Sequence, residues 1–210
     1  MSFSQFCQDL HVLNFYNLKK NGYFIEIGAS DGIESSNTYL LEKSYEWTGI
    51  CVEPIPYRFD DLIKNRTKSF CCNNAVYKES NMHVDFDIAN NGDGISGISD
   101  KIDCHKKAVD ANKTTIKVET ISFNDLLKKY NAPYYIDYLS LDTEGSELDI
   151  LQSVDLNEYI FGLIDVEHNF VEPRRRQIYE LLTSNGYDYI RQNYVDDCYK
   201  HKSISISGNI

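Results

Sequence analysis

Acidic side chains recur where apolar runs of this sequence stop. Asp31, Glu53, Asp142, Glu144 and Glu167 all stand at such ends, with His168 beside the last, and Glu26 lies inside a run. Carboxylates gathered at one edge can accept the proton of a weakly acidic hydroxyl, bind a cationic or hydroxylated ligand, or coordinate a hard cation. Asp142 and Glu144 leave a largely apolar run together, which marks them, with His168, as catalytic candidates. Asp142, Glu167 and His168 form an O/O/N set suited to Mg²⁺ or Mn²⁺, while His168 can also handle a proton without any metal. Ser146 and Glu147 read instead as a helix cap.

The stretch that must position these groups is Gly22-Tyr-Phe-Ile-Glu-Ile-Gly-Ala-Ser-Asp-Gly32. It reads as a short strand, a tight small-residue turn and, after the cap residues 35–38, a helix. A dinucleotide site wants Gly-x-Gly-x-x-Gly, but Ser30 and Ile33 occupy the second and third glycine positions. Glu26 and Asp31 beside the turn would repel a pyrophosphate. They suit a ligand carrying positive charge and hydroxyls, such as S-adenosylmethionine (SAM). On that reading Gly28, Ala29, Ser30 and Gly32 make backbone contacts, and Glu26 and Asp31 face the ammonium group. Asn37 joins the cofactor contacts from the cap. Glu53, ending the second strand, accepts both ribose hydroxyls from a loop stiffened by Pro54, and Asn73 or Asn74 meets the adenine edge.

The chain has 210 residues, 42% hydrophobic and 25% charged, which fits one globular domain over 1–210. Its net charge of -11 disfavours nucleic acid and anionic membranes as partners. No apolar run reaches the roughly 20 residues of a membrane span. The first residues lack a basic and an apolar signal-peptide region, and the six cysteines show no metal or disulfide spacing, so a cytoplasmic location with free thiols is expected.

Helical spacing predicts a first helix within residues 1–20. Strands are expected at 23–27, 47–53, 68–76, 116–121, 135–142, 159–168, 187–194 and 202–206, with helices at 56–64, 123–130, 147–153 and 174–185. Residues 78–117 break the rhythm and read as an insertion, a candidate substrate lid. Alternating units of this kind make a doubly wound α/β sheet with ligands at the carboxyl ends of the strands.

The linked motifs Phe24-Ile-Glu-Ile-Gly-Ala-Ser-Asp-Gly, Ser36-Asn-Thr, Trp47-Thr-Gly-Ile-Cys-Val-Glu-Pro, Asn74-Ala-Val and Leu141-Asp-Thr-Glu-Gly-Ser-Glu resemble the FkbM family of SAM-dependent methyltransferases. The opening Ser4-Gln-Phe-Cys-Gln8-Asp9 is similar to a subgroup that begins Ser-Gln-x-x-Gln-Asp. The resemblance implies a class I, Rossmann-like fold of seven strands in the order 3-2-1-4-5-7-6, the seventh antiparallel, with the insertion between the third and fourth. It also implies SAM-dependent O-methylation of a sugar, glycan or other small-molecule hydroxyl. Some relatives act in trafficking, so a non-catalytic interaction module retaining the fold is the competing class.

Overall fold

The computed structural model describes residues 1–204. Its seven-stranded sheet is built from β1 (Tyr23–Ile27), β2 (Thr48–Val52), β3 (Phe70–Cys72), β8 (Tyr135–Leu141), β9 (Ile160–Glu167), β10 (Tyr187–Asn193) and β11 (Asp196–His201). The spatial order is β10-β11-β9-β8-β1-β2-β3. The pairs linking β3, β2, β1, β8 and β9 are parallel, and β11 runs antiparallel to both β9 and β10. Counted along the core this is 3-2-1-4-5-7-6, the class I methyltransferase order that the resemblance implied.

Two apolar layers sandwich the sheet. On one face α1 (Gln8–Phe15), α2 (Tyr39–Tyr45) and α3 (Pro56–Asn65) contribute Val12, Leu13, Leu41 and Leu62, packed with Phe24, Trp47, Cys51 and Tyr138. On the other, α5 (Phe123–Lys129), α6 (Glu147–Gln152) and α7 (Arg174–Ser184) contribute Leu126, Leu127, Ile150, Leu151, Ile178 and Leu182 against Ile25, Ile27, Leu139 and Ile164. Consecutive strand residues face opposite layers, so β1 sends Ile25 and Ile27 to the α5–α7 layer and leaves Phe24 and Glu26 for the α1–α3 layer.

The insertion differs from the expectation. The run 68–76 is not one strand: β3 ends at Cys72, and β4 (Ala75–Tyr77) joins a second sheet. That curled sheet has the order β4-β7-β5-β6, with β5 (His83–Ala89), β6 (Gly97–Ile98) and β7 (Lys113–Ser122). Residues 116–121 therefore belong to the insertion and not to the resumed core. The short helix α4 (Lys106–Ala111) packs beside β5. The first helix is also shorter than its apolar spacing suggested, because residues 1–7 form a bridged turn, Ser4 pairing with Ser35. The last strand ends at His201. Of the expected strand at 202–206, residues 202–204 form a turn and the remainder lies outside the described residues. No helix among the described residues is long and apolar enough to cross a membrane.

A candidate methyl-donor and acceptor cleft

The turn after β1 is held from both sides. The Gly28 and Ala29 N–H groups both donate to the Val52 carbonyl, Ser30 N–H donates to Glu53 Oε2 at 2.9 Å, and Gly32 N–H donates to Ala29 O. Gly28 has φ +93°, and a Cβ there would lie 1.9 Å from the Asp142 carbonyl oxygen, so the glycine is demanded by the neighbouring strand end rather than by a ligand. With the Gly28, Ala29, Ser30 and Gly32 N–H groups spent, the turn makes a poor anion cradle. Among the described residues the Gly28 carbonyl accepts no bond, which agrees with a cationic ligand.

Two cavities meet at Gly28, Ser30, Asp93, Gly94 and Asp142. The first is an apolar slot between Ile27, Val52, Ile55 and Val76 of the core and Phe86 and Ile98 of the insertion, with Glu53 and Pro54 at its mouth. Glu53 is 5% exposed, and its Oε1 accepts from Ile55 N–H at 2.7 Å. Each carboxylate oxygen keeps a second lone pair for a ligand hydroxyl. Burial pushes this carboxyl up to about 7 even though the two backbone donors favour its ionised form. The second cavity, of ≈ 390 Å³, runs from Gly28 past Asn37 and Asp142 to Gln8, Asp165 and Asp196. A 3-10 turn, Asp93–Ile95, contributes Asp93 and Gly94 to both, fastened by Arg58 through bonds of 2.6 and 2.8 Å to the Asp93 carboxylate.

Several expected site residues sit elsewhere. Glu26 lines neither cavity. It is buried and accepts from Ser36 Oγ, Asn37 N–H, Thr38 Oγ1 and Arg66 Nη1, so it anchors the segment leading into α2. Asp31 closes its own turn by accepting from the Ile33 and Glu34 N–H groups. Gly32 packs against Leu62 and Arg66 instead of a ligand. Asn73 is exposed at the turn between the two sheets, and Asn74 donates to the Glu119 carbonyl, away from the slot. Apolar side chains surround the slot where those amides were expected. Asn37 does face the second cavity, its Nδ2 donating to Ser140 Oγ at 2.9 Å.

At the ends of β8 and β9, Asp142, Glu144 and Glu167 bring carboxylate oxygens within 4.8 Å of one another. Burial, and then mutual repulsion, pushes Glu144 up to about 9 and Glu167 well above the usual carboxylate range. Asp142 rises to about 6 through burial, moderated by a bond to Glu167. His168 does not join them. It follows Glu167 on the opposite side of the strand, its Nδ1 accepts from Phe170 N–H at 2.9 Å, and its Nε2 lies 3.5 Å from Asp197. Burial lowers its pKa, so it is neutral and turned away from the cleft. The O/O/N set is therefore replaced by three carboxylates. Reading residue types alone missed Arg58, Arg66, Asp93 and Asp196, because none lies in a run whose spacing singles it out, while Gln8 stood in the opening motif without a site role.

A profile of the methyltransferase FkbM domain matches residues 26–189. The chain belongs to the FkbM methyltransferase family. SAM is the methyl donor this membership implies, and residues 26–189 form a methyltransferase FkbM domain. Among solved structures, a putative rRNA methylase from Clostridium thermocellum aligns with a TM-score of 0.54 at 9% identity, over 98% of this chain and 99% of that one. The METTL16 methyltransferase domain gives 0.51 at 11% identity, over 93% and 66%. Methyltransferase FkbM from Methylobacillus flagellatus KT gives 0.48 at 11% identity, covering 86% of this chain but 44% of that protein, so the present chain spans less than half its length. The first two likenesses, at these identities, show the fold. No protein of curated function matches the sequence.

Proposed function

We propose that the FkbM domain transfers the SAM methyl group to a hydroxyl of a sugar or glycan, with the adenosine in the apolar slot and the methionyl arm and acceptor in the acidic cavity. The observation that carries this reading is the junction. A hydrophobic slot ending on a two-oxygen acceptor, Glu53, opens at Gly28 and Asp142 into a polar cavity large enough for a second molecule. Adenine stacks between Val76 and Phe86, the ribose hydroxyls donate to Glu53, and the ammonium group meets the Gly28 carbonyl and Asp142. Transfer is an in-line displacement at a carbon already activated by sulfonium, so orientation supplies much of the rate. The acceptor proton must still leave, and Asp142 stands at the junction with a carboxyl that is ionised at neutral pH.

Calorimetry with S-adenosylhomocysteine tests the donor half. Glu53→Ala is expected to weaken binding by about 1.5–3 kcal/mol, since it removes charge-assisted bonds and leaves Ser30 N–H unpaired. Wild-type affinity should rise between pH 6 and 8 as Glu53 ionises to receive the ribose hydroxyls. An affinity indifferent to both changes would remove Glu53 from the site.

The carboxylate cluster also fits a hard divalent cation such as Mg²⁺ or Mn²⁺. Glu167 is 5% exposed, and its Oε2 is buried without a hydrogen-bond partner. Asp142, Glu144 and Glu167 would hold the ion, which when bound would lower the pKa of an acceptor hydroxyl. Titration with Mn²⁺ followed by electron paramagnetic resonance should show a bound ion that Glu167→Gln abolishes. Silence there, together with methyl transfer unchanged in EDTA, would dismiss the cation.

A further inference from the structure

The opening Ser4-Gln5-Phe6-Cys7-Gln8-Asp9 has no part in donor binding, yet the fold commits it to the acidic cavity. Asp9 is fully buried and receives Phe3 N–H, Ser2 Oγ and Ser4 Oγ, fixing the turn before α1. The Phe6 ring stacks on Tyr194 with centroids 4.5 Å apart, and Asn193 Nδ2 donates to the Phe6 carbonyl, tying the segment to the β10–β11 hairpin. The segment thus bridges from Ser35, beside the glycine turn, to the hairpin, and forms part of the cavity wall. Gln5 and Gln8 line that wall.

Gln8 is oriented from both ends. Its Oε1 accepts from Phe6 N–H at 2.8 Å, and its Nε2 donates to Asp196 Oδ2 at 2.7 Å, leaving one N–H for a ligand. Asp196 is 6% exposed, lines the cavity, and among the described residues makes its side-chain hydrogen bond through Oδ2 alone. Asp165, 3% exposed, also lines the cavity, accepts from the Tyr138 hydroxyl through Oδ2 and clusters with His11 and Cys198 within 4.8 Å. The Asp196 oxygen that Gln8 leaves free can accept from a ligand in the cavity. The wall offers carboxyl oxygens and amide donors, and Arg58, the cation lining this cavity among the described residues, is committed to Asp93.

We propose that Gln8 and Asp196 seat the acceptor and select an uncharged polyhydroxylated molecule over an anionic one. The assignment rests on the methyl-donor reading above. Acceptor hydroxyls donate to Asp196 Oδ1, the remaining Gln8 N–H donates to a neighbouring acceptor oxygen, and a phosphate or carboxylate meets the acids Asp142, Asp165 and Asp196 with no uncommitted cation among the described lining residues. An ion-pairing site for sugar phosphates would instead present free arginine or lysine.

The test uses the full chain saturated with S-adenosylhomocysteine and saturation-transfer NMR on defined probes: methyl α-glucoside, methyl α-mannoside and myo-inositol against glucuronate and glucose 1-phosphate. The neutral probes are expected to bind and the anionic ones not. Asp196→Asn, which keeps the shape, and Gln8→Ala should each weaken the neutral probes about tenfold or more, with S-adenosylhomocysteine affinity unchanged. Anionic probes bound as well as neutral ones, neutral probes unaffected by either substitution, or no neutral probe bound to the wild-type complex would each overturn the assignment. Failure of S-adenosylhomocysteine itself to bind would strike the donor reading, so the two failures are separable.

Discussion

Arg66→Met is expected to destabilise the fold by about 3–5 kcal/mol and to take S-adenosylhomocysteine binding with it. Arg66 is 1% exposed and serves two buried carboxylates, donating through Nε to Glu42 at 3.0 Å and through Nη1 to Glu26 at 3.1 Å. It also donates to Thr38 Oγ1 at 2.7 Å and to the Gly32 carbonyl, while its guanidinium lies over the Phe24 ring. Methionine has similar volume, so the expected loss is electrostatic. Two buried acids lose their counter-ion, and the cost of an uncompensated buried charge exceeds the net worth of the original pair. The same cation clips the turn at Gly32 to the segment before α2, so the donor cleft should loosen. Urea unfolding and calorimetry measure the two effects. Adding Glu26→Gln and Glu42→Gln to the variant should recover part of the stability, because the stranded charges are then removed. A loss below about 1 kcal/mol would mean that the network is solvated and its charges are screened.

This cation shows where sequence reading stops. Glu26 is conspicuous as an acid inside an apolar strand, and a ligand role follows naturally from that. Its partner stands 40 residues on, just past a helix end, with no periodicity to reveal it. The strand, glycine turn and helix start were legible because each is a local pattern, and so was Glu53, whose place at the end of β2 follows from the alternation of strand and helix. The core strand order came from linked motifs, not from periodicity. The division of 68–76 between two sheets was illegible, since an apolar run reports that it is buried but not which edge it pairs with. Strand alternation set His168 on the face opposite Glu167, and the structure keeps it there, so a site using both had to fail. Gln8 and Asp196 meet across 188 positions, a contact that only the closed sheet creates.

Raising the pH from about 5 to 9 in EDTA is expected to lower the melting temperature of the free protein, with Asp142→Asn flattening that fall. Asp142, Glu144 and Glu167 hold their protons more tightly folded than unfolded: burial places Asp142 at about 6, Glu144 at about 9 and Glu167 well up in the same direction. The folded state therefore binds more protons than the unfolded chain above the ordinary carboxylate range of about 4. Stability is fully retained below that range and declines as pH rises through each folded value in turn. Every unit of such displacement corresponds to about 1.4 kcal/mol, so the cluster weighs on the free protein most at alkaline pH. Asparagine cannot ionise and removes one repelling charge from the other two. The variant should thus match or exceed the wild type in melting temperature at pH 8. With any acceptor that the wild type turns over, it should transfer methyl about 100-fold more slowly if Asp142 receives the proton as proposed. A cationic ligand should offset the same repulsion, so saturating SAM should raise the wild-type melting temperature more at pH 8 than at pH 5. Parallel melting profiles for variant and wild type would show that the carboxylates do not repel one another, and the shared basis for donor binding and proton removal at this rim of the sheet would be lost.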